Sequence, residues 1–288
     1  MKQPVSFTIG GVPEHFNLPW HLAIDGGLFE KESIHLSWKD YPGGTGAMAK
    51  DLRSGNLDIA VLLTEGIVAD IAKGNPSKII SLYVQTPLIW GIHVPAASSF
   101  TKVEDLHGKR YAISRMGSGS HLMAFIDAQQ RGWRLHEDQL VVVGDLTGAR
   151  EAFKTDRADI FMWERFMTQP LVDQGEFRRV GECPTPWPCF VIAVREAILN
   201  EFKPSLKQLL QVIYMANSRF MNDASTSGLV TKKYGLTPQD ASAWFSMTKW
   251  ATNNKFSKET LDNVVNTLLA LNLIEMPVNS TRLYEEIQ

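Results

Sequence analysis

Leu52-Arg53-Ser54-Gly55-Asn56-Leu57-Asp58-Ile59 and, 101 residues later, Phe153-Lys154-Thr155-Asp156-Arg157-Ala158-Asp159-Ile160 carry one pattern. Each reads as a helix end, a tight turn, Asp-Ile and the start of a buried strand. Leu57–Leu63 is a nearly continuous apolar run, the mark of a strand covered on both faces. Two copies are fewer than the roughly three repeats a solenoid needs. They predict two lobes of similar topology.

Working outward, strand and helix alternate. Val5–Ile9 reads as a strand. Asn17 is the expected N-cap of a helix with Pro19 in its first turn, stopped at Gly26-Gly27. A strand follows at Ile34–Trp38, then a helix capped by Thr45 and running to Gly55, the buried strand, a helix over Gly66–Lys73 and a strand at Lys78–Val84. The second lobe repeats the order: strand Arg110–Ser114, helix Leu122–Arg131, strand Leu140–Val143, helix Ala149–Lys154, strand Asp159–Trp163. This order predicts mostly parallel sheets with helices on both faces. Beyond Val194 the apolar spacing is helical at Glu196–Phe202, Ser205–Met221, Pro238–Met247 and Lys258–Leu271, with no strand evident. Such a tail must pack on something, and the first sheet is available. The expected fold is therefore α/β and two-lobed, with a helical C-terminal segment on lobe one. Lobe one takes residues 1–88 plus 190–288, lobe two takes 89–189, and a double-crossing hinge lies near 86–90 and 187–190.

Composition narrows the function classes. The chain has 288 residues, 44% of them apolar and 21% charged, with 29 basic against 31 acidic side chains. A balance this even points to neither nucleic acid nor an acidic membrane as partner. No apolar run approaches the roughly 18 residues of a membrane span. The opening residues read as a strand and not as a secretory leader. That places an uncleaved chain in the cytoplasm and a chain whose leader has been removed in the periplasm. Cys183 and Cys189 stand in Cys-Pro-Thr-Pro-Trp-Pro-Cys; two free thiols in a stiff loop fit this run better than a disulfide or a metal site. No Ser-His-Asp pattern, nucleophile elbow or His-x-x-x-His pair is present, so neither catalytic residues nor metal nor cofactor are expected.

In open parallel sheets, ligands bind beyond the carboxyl ends of the strands. The residues that follow each strand are then the candidate contacts. After strand one this gives His15 in a Gly- and Pro-flanked loop; after strand two, Gly44, Thr45 and Gly46; after strand three, Thr64 and Glu65. In lobe two the list is Arg115, Ser118 and Ser120, then Trp163 and Glu164. Gly43–Ala47 and Gly117–Ser120 are small-residue loops entering helices, and they are expected to occupy equivalent places in the two lobes. Unpaired N–H groups at a helix start, with hydroxyl donors beside them, suit an anionic or strongly polar group. Ordinary capping explains either loop alone. Glu65 and Glu164 could serve their helix N-termini or a ligand with N–H donors, whereas Arg115 favours an anion. Of eight tryptophans, Trp90, Trp163 and Trp187 lie at crossings or strand ends, where they could stack on a flat ligand.

Three blocks carry a family resemblance. Leu22-Ala23-Ile24-Asp25-Gly26-Gly27-Leu28-Phe29-Glu30 is the first. Tyr41-Pro42-Gly43-Gly44-Thr45 with Leu52–Ala60 is the second, and Val103-Glu104-Asp105-Leu106-His107-Gly108-Lys109 is the entry to lobe two. Together they resemble the type-2 periplasmic substrate-binding proteins of the nitrate, sulfonate, taurine and thiamine-pyrimidine group, over roughly residues 5–195. The resemblance implies capture of a small polar, anionic or heterocyclic solute in an interlobe cleft by hinge closure, with an ABC permease as partner if the protein is exported. It also implies a second reading, an intracellular enzyme of thiamine-pyrimidine-like cofactor biosynthesis. That branch consumes one of its own histidines and uses a cysteine-rich motif. This chain has Glu65 where that histidine is expected, and its two cysteines are isolated by prolines.

Overall fold

The computed structural model describes residues 4–287. The chain divides into two compact units. One comprises the residues up to Thr86 together with those from Trp187 onward, and the other is Pro87–Pro186. The chain passes between them at Thr86–Pro87 and again at Pro186–Trp187.

In the first unit the order is β1 (Val5–Gly11), α1 (Leu18–Asp25), β2 (Ile34–Asp40), α2 (Gly44–Ser54), β3 (Ile59–Leu63), α3 (Thr64–Ala72) and β4 (Ser77–Val84). The second unit holds β5 (Ile89–Pro95), β6 (Tyr111–Ile113), α4 (Gly119–Gln130), β7 (Leu140–Val142), α5 (Leu146–Lys154), β8 (Ile160–Glu164), α6 (Gln169–Asp173) and β9 (Phe177–Pro184). The chain then re-enters the first unit with β10 (Phe190–Arg195), followed by α7 (Glu196–Asn222), α8 (Thr226–Tyr234), α9 (Pro238–Met247), α10 (Lys258–Ala270) and α11 (Ser280–Leu283).

The two sheets have the same layout. The first runs β2-β1-β3-β10-β4 and the second β7-β6-β8-β5-β9. In each, the three strands on one side are parallel. The strand delivered by the crossing, β10 or β5, is wedged in antiparallel to both neighbours. By strand direction the sheets are mostly parallel, as the sequence suggests, since β4 and β9 run with the parallel three and only β10 and β5 oppose them. β5, β9 and β10 themselves are absent from the sequence reading. The sheet of the first unit buries Ile9, Ile59, Val61, Ile79 and Val191–Val194 almost completely. A smaller core in the second gathers Ala112, Ala149, Ala152, Phe161 and Phe177.

The repeated Asp-Ile is the fold's keystone in both units. Asp58 accepts from Thr8 N–H and Thr8 Oγ1, both at 2.9 Å, and returns its own N–H to the Thr8 carbonyl. Asp159 accepts from Arg110 N–H and Arg110 Nε, both at 2.9 Å, and returns its N–H to the Arg110 carbonyl. One carboxylate thus ties the third strand to the first one residue ahead of their shared ladder, which begins at Ile9 and Ile59 in one unit and at Tyr111 and Ile160 in the other. The turn ahead of each needs a left-handed residue. The first unit has Gly55 there, and the second has Asp156 with φ 54°.

The tail packs on the first unit. Tyr284 bridges to Ile79 and Trp250 to Val84 at β4. The two helices suggested by the sequence, Glu196–Phe202 and Ser205–Met221, follow one another as α7 with a kink at Phe202, whose backbone is non-helical, just ahead of Pro204. Pro204 removes a backbone donor inside the helix and forces the kink. Two caps differ from expectation. Asn17 takes the N-cap position of α1, but its side chain serves the preceding loop, Nδ2 donating to the Val12 carbonyl at 2.8 Å. Thr45 does not cap α2: its Oγ1 accepts from Leu63 N–H at 3.1 Å. Among the described residues no helix is long and apolar enough to cross a membrane, and both cysteines are buried thiols.

Asp58→Ala removes the acceptor of two main-strand donors and of Arg195, and is expected to cost about 2–3 kcal/mol in urea unfolding. Asp156→Gly relieves the left-handed strain at an exposed turn and should raise stability by up to about 1 kcal/mol in the same measurement.

Candidate functional site

Because β1, β2 and β3 are parallel, the loops after them emerge at one edge of the first sheet. β10 begins at that edge, with Phe190 opposite Leu63. Trp187, just ahead of β10, is therefore brought to the end of β3. Its Nε1–H donates to Glu65 Oε2 at 2.8 Å. Thr64 is fixed by the same segment: its N–H donates to the Cys189 carbonyl and its Oγ1 to the Pro188 carbonyl at 2.6 Å. The start of α2 lies alongside. A Cβ placed on Gly66 would stand 2.4 Å from Thr45 Cγ2, so only a glycine lets the first turns of α2 and α3 meet. The structure thus joins Gly44, Thr45, Gly46, Thr64, Glu65 and Trp187 into one group built around two adjoining helix N-termini.

Glu65 is buried, 1% exposed. Its Oε1 has no hydrogen-bond partner. Burial pushes its carboxyl up to about 7, against the smaller opposing effects of its own backbone amide and of Trp187. A carboxyl there is ready to carry a proton near neutral pH.

His15 is moved out of this group. Its ring is fully buried and stacked on Trp244, with centroids 4.3 Å apart and planes at 10°. Phe16 and Tyr234 also face it. Burial takes its imidazole down to about 3. Its neighbour Phe16 is clamped as well: the Phe16 carbonyl accepts from Tyr83 OH at 2.7 Å and Trp250 Nε1 at 3.0 Å. The loop after β1 is therefore a packing element sealed by the helical tail. Its partners lie far along the chain, and no local motif announces them.

In the second unit, Ser118 caps α4 by accepting from His121 N–H. Ser120 Oγ accepts from Ser114 N–H at 2.9 Å and lies 3.0 Å from Ser118 Oγ. Gly117 N–H donates to His121 Nδ1 at 3.0 Å, a contact that no local spacing announces. Arg115 is exposed in the same loop. Glu164 ends β8 and accepts from the Phe166 and Met167 amides at 2.9 and 2.7 Å. That is the turn-capping role left open by the sequence. Trp163 stacks on Phe161 with centroids 5.4 Å apart. Trp90 is buried near the start of β5, opposite Glu164 at the end of β8 and Cys183 near the end of β9, with its ring centroid 6.4 Å from that of Trp163.

The expected equivalence of the two small-residue loops is corrected by the sheet orders. Gly117–Ser120 follows β6, the counterpart of β1. Gly43–Ala47 follows β2, whose counterpart is β7. The counterpart of α2 is α5, whose N-cap is Asp145 where that of α2 is Gly43. Asp145 caps α5, its carboxylate accepting from Gly148 N–H at 2.9 Å. At α2 there is no side-chain cap. Gly44 has φ +65°, and a Cβ placed on it would meet nothing within 4 Å. The N-cap position that α5 fills with the Asp145 carboxylate is held in α2 by Gly43, which has no side chain to place there. Among the described residues no cluster of histidine, cysteine or acidic side chains could hold a metal ion.

Comparison with known proteins places this geometry. Residues 90–183 match the family model described as Ca3427-like PBP. The CA3427 gene product of Candida albicans, described as exhibiting the generic periplasmic binding protein fold, superposes with a TM-score of 0.90 at 24% identity, over 98% of this chain and 97% of that one. The alkanesulfonate-binding protein SsuA of Xanthomonas axonopodis pv. citri, bound to MOPS, gives 0.82 at 17% identity over 99% of both chains. The aliphatic sulphonate binding protein SsuA of Escherichia coli gives 0.77 at 17%, again over 99% of both. No curated protein matches the chain by sequence. The chain has the type-2 periplasmic-binding-protein fold.

A histidine held neutral at about 3 opposes folding once the unfolded chain's histidine, near 6.5, takes up a proton. Its contribution is complete above pH 6.5 and is lost progressively as pH falls toward 3. Stability at pH 5 is expected to drop by about 2 kcal/mol through His15 alone. The difference should disappear from the pH profile of His15→Phe in chemical unfolding.

Proposed function

We propose that this protein is a solute-binding protein that captures a small polar molecule carrying an oxyanion group and leaves it chemically unchanged. The observation that carries the reading is the uncapped start of α2. Its counterpart α5 satisfies a first-turn amide with the N-cap carboxylate of Asp145, whereas α2 has Gly43 at that position and no side-chain cap. Unpaired amides carrying the positive end of a helix dipole suit a sulfonate, sulfate, nitrate or carboxylate. Thr45 and Thr64 line the same turn pair, and the Ser118–Ser120 loop with Arg115 offers donors on the second unit. Closure of the two units on the solute, with the crossings at Thr86–Pro87 and Pro186–Trp187 as hinge, would let each contribute part of the contact. The likeness to sulfonate-binding neighbours supports the same class of ligand. An import permease is the corresponding partner.

A thermal-shift panel of sulfonates, sulfate, nitrate, pyrimidines and amino acids tests this. A solute at 100 times its Kd adds about 2.7 kcal/mol, which corresponds to a rise of roughly 5 °C or more in Tm. A panel without any shift removes the reading. Gly43→Asp gives α2 the N-cap carboxylate that α5 already has, and is expected to weaken anion binding at least about ten-fold by calorimetry while the fold persists.

A further inference from the structure

We propose that Glu65 keeps its proton in the ligand-free protein and offers it from Oε1 to an acceptor oxygen of the bound solute, so that this side chain selects an anion over a cation. The inference rests on the solute-binding reading and adds the polarity of one contact to it.

The geometry is specific. Glu65 stands in the first turn of α3, against the first turn of α2. One carboxyl oxygen is satisfied by the Trp187 indole, and the other is buried without a partner. An ionised carboxylate with one oxygen bare of donors is costly in such a place. A neutral carboxyl loses far less and has one O–H left to give. An ionised Glu65 would also repel the anion that the open amides of α2 invite.

No neighbouring charge supplies an alternative explanation. What acts on Glu65 is burial, opposed by its own amide and by Trp187. On α3 the acidic Asp70 is paired with Arg53 of α2 at 2.9 Å. Asp51 of α2 is held by Lys39 at 3.0 Å, and Lys50 is exposed. Arg195 of β10 is paired with Asp58, and Arg282 of α11 with Glu196. Lys258, Glu259 and Asp262 of α10 are exposed. β3 carries no ionisable side chain, and the crossing segment adds only the Cys189 thiol. A second carboxyl, Glu14, is also raised to about 7 by burial and serves as a control.

The sign follows. An anion that needs the proton binds best below the midpoint near 7, and its affinity falls as pH rises through it. Between pH 6 and 8 the loss is roughly ten-fold. The probes are ethanesulfonate and inorganic sulfate, neither of which titrates in this range, measured by calorimetry in a cationic buffer. The wild type should lose about ten-fold in affinity, Glu14→Gln should do the same, and Glu65→Gln, whose amide always donates, should show a ratio near one. An affinity that rises with pH, or a ten-fold loss retained in Glu65→Gln, overturns the proposal. Carbon-13 NMR of glutamate-labelled protein without any solute separates the two levels. If neither probe binds but a carboxyl signal titrating near pH 7 vanishes in Glu65→Gln, the solute reading has failed and the proton stands. If no signal lost in Glu65→Gln titrates above pH 5.5, the proton is absent whatever the protein binds. Should Glu65→Gln not fold, wild type and Glu14→Gln decide: Glu14→Gln must retain one glutamate signal with a midpoint near 7.

Discussion

The tie between the third strand and the first is the constraint on which each unit depends. Asp58 and Asp159 occupy the last residue before a buried strand, and each closes a two-way bond with the strand alongside. The tie sets where the parallel strands start relative to one another. Since a slip of one residue would turn every side chain to the opposite face, that start also decides which residues leave the far ends of the strands. Within each unit, the helix N-termini and polar loops that follow the parallel strands owe their shared sheet edge to that unit's carboxylate.

The units then diverge in how they treat helix starts. α5 is completed by Asp145 and α4 by Ser118, so their first amides are satisfied from within. α2 and α3 are left without side-chain caps and lie against each other. Natural proteins rarely leave buried polar groups unpaired. The orphaned Glu65 oxygen beside these two helix starts is a place where the chain accepts poorer internal bonding.

Much of this was legible in the sequence, for physical reasons. Leu57–Leu63 and Asp159–Trp163 are apolar and bounded by turns, so strands with two covered faces announced themselves, and the Asp-Ile repeat exposed the duplication. β9 was hidden because Arg178, Arg179 and Glu182 interrupt its pattern, as an edge strand permits; β5 was hidden by Gly91, and α8 by Gly228 within a weakly periodic run. In the site, the strand-end loops were visible but their state was not. Whether Gly44 faces open space and whether His15 is stacked on Trp244 depends on partners that no local spacing reveals. The misjudged equivalence of the Gly43 and Gly117 loops has the same origin: strand order in a sheet is a tertiary property.

The wedged antiparallel strands have a consequence for the order in which the molecule is made. The second unit is a continuous piece of chain, and its five strands are all present once the ribosome has passed Pro184. The first unit cannot finish its sheet by then, because the strand that belongs between β3 and β4 is encoded after the whole of its neighbour. A nascent chain therefore carries two unjoined apolar edges for the time needed to translate about a hundred residues. The later-born half is the one able to mature first, and the half that begins synthesis closes last.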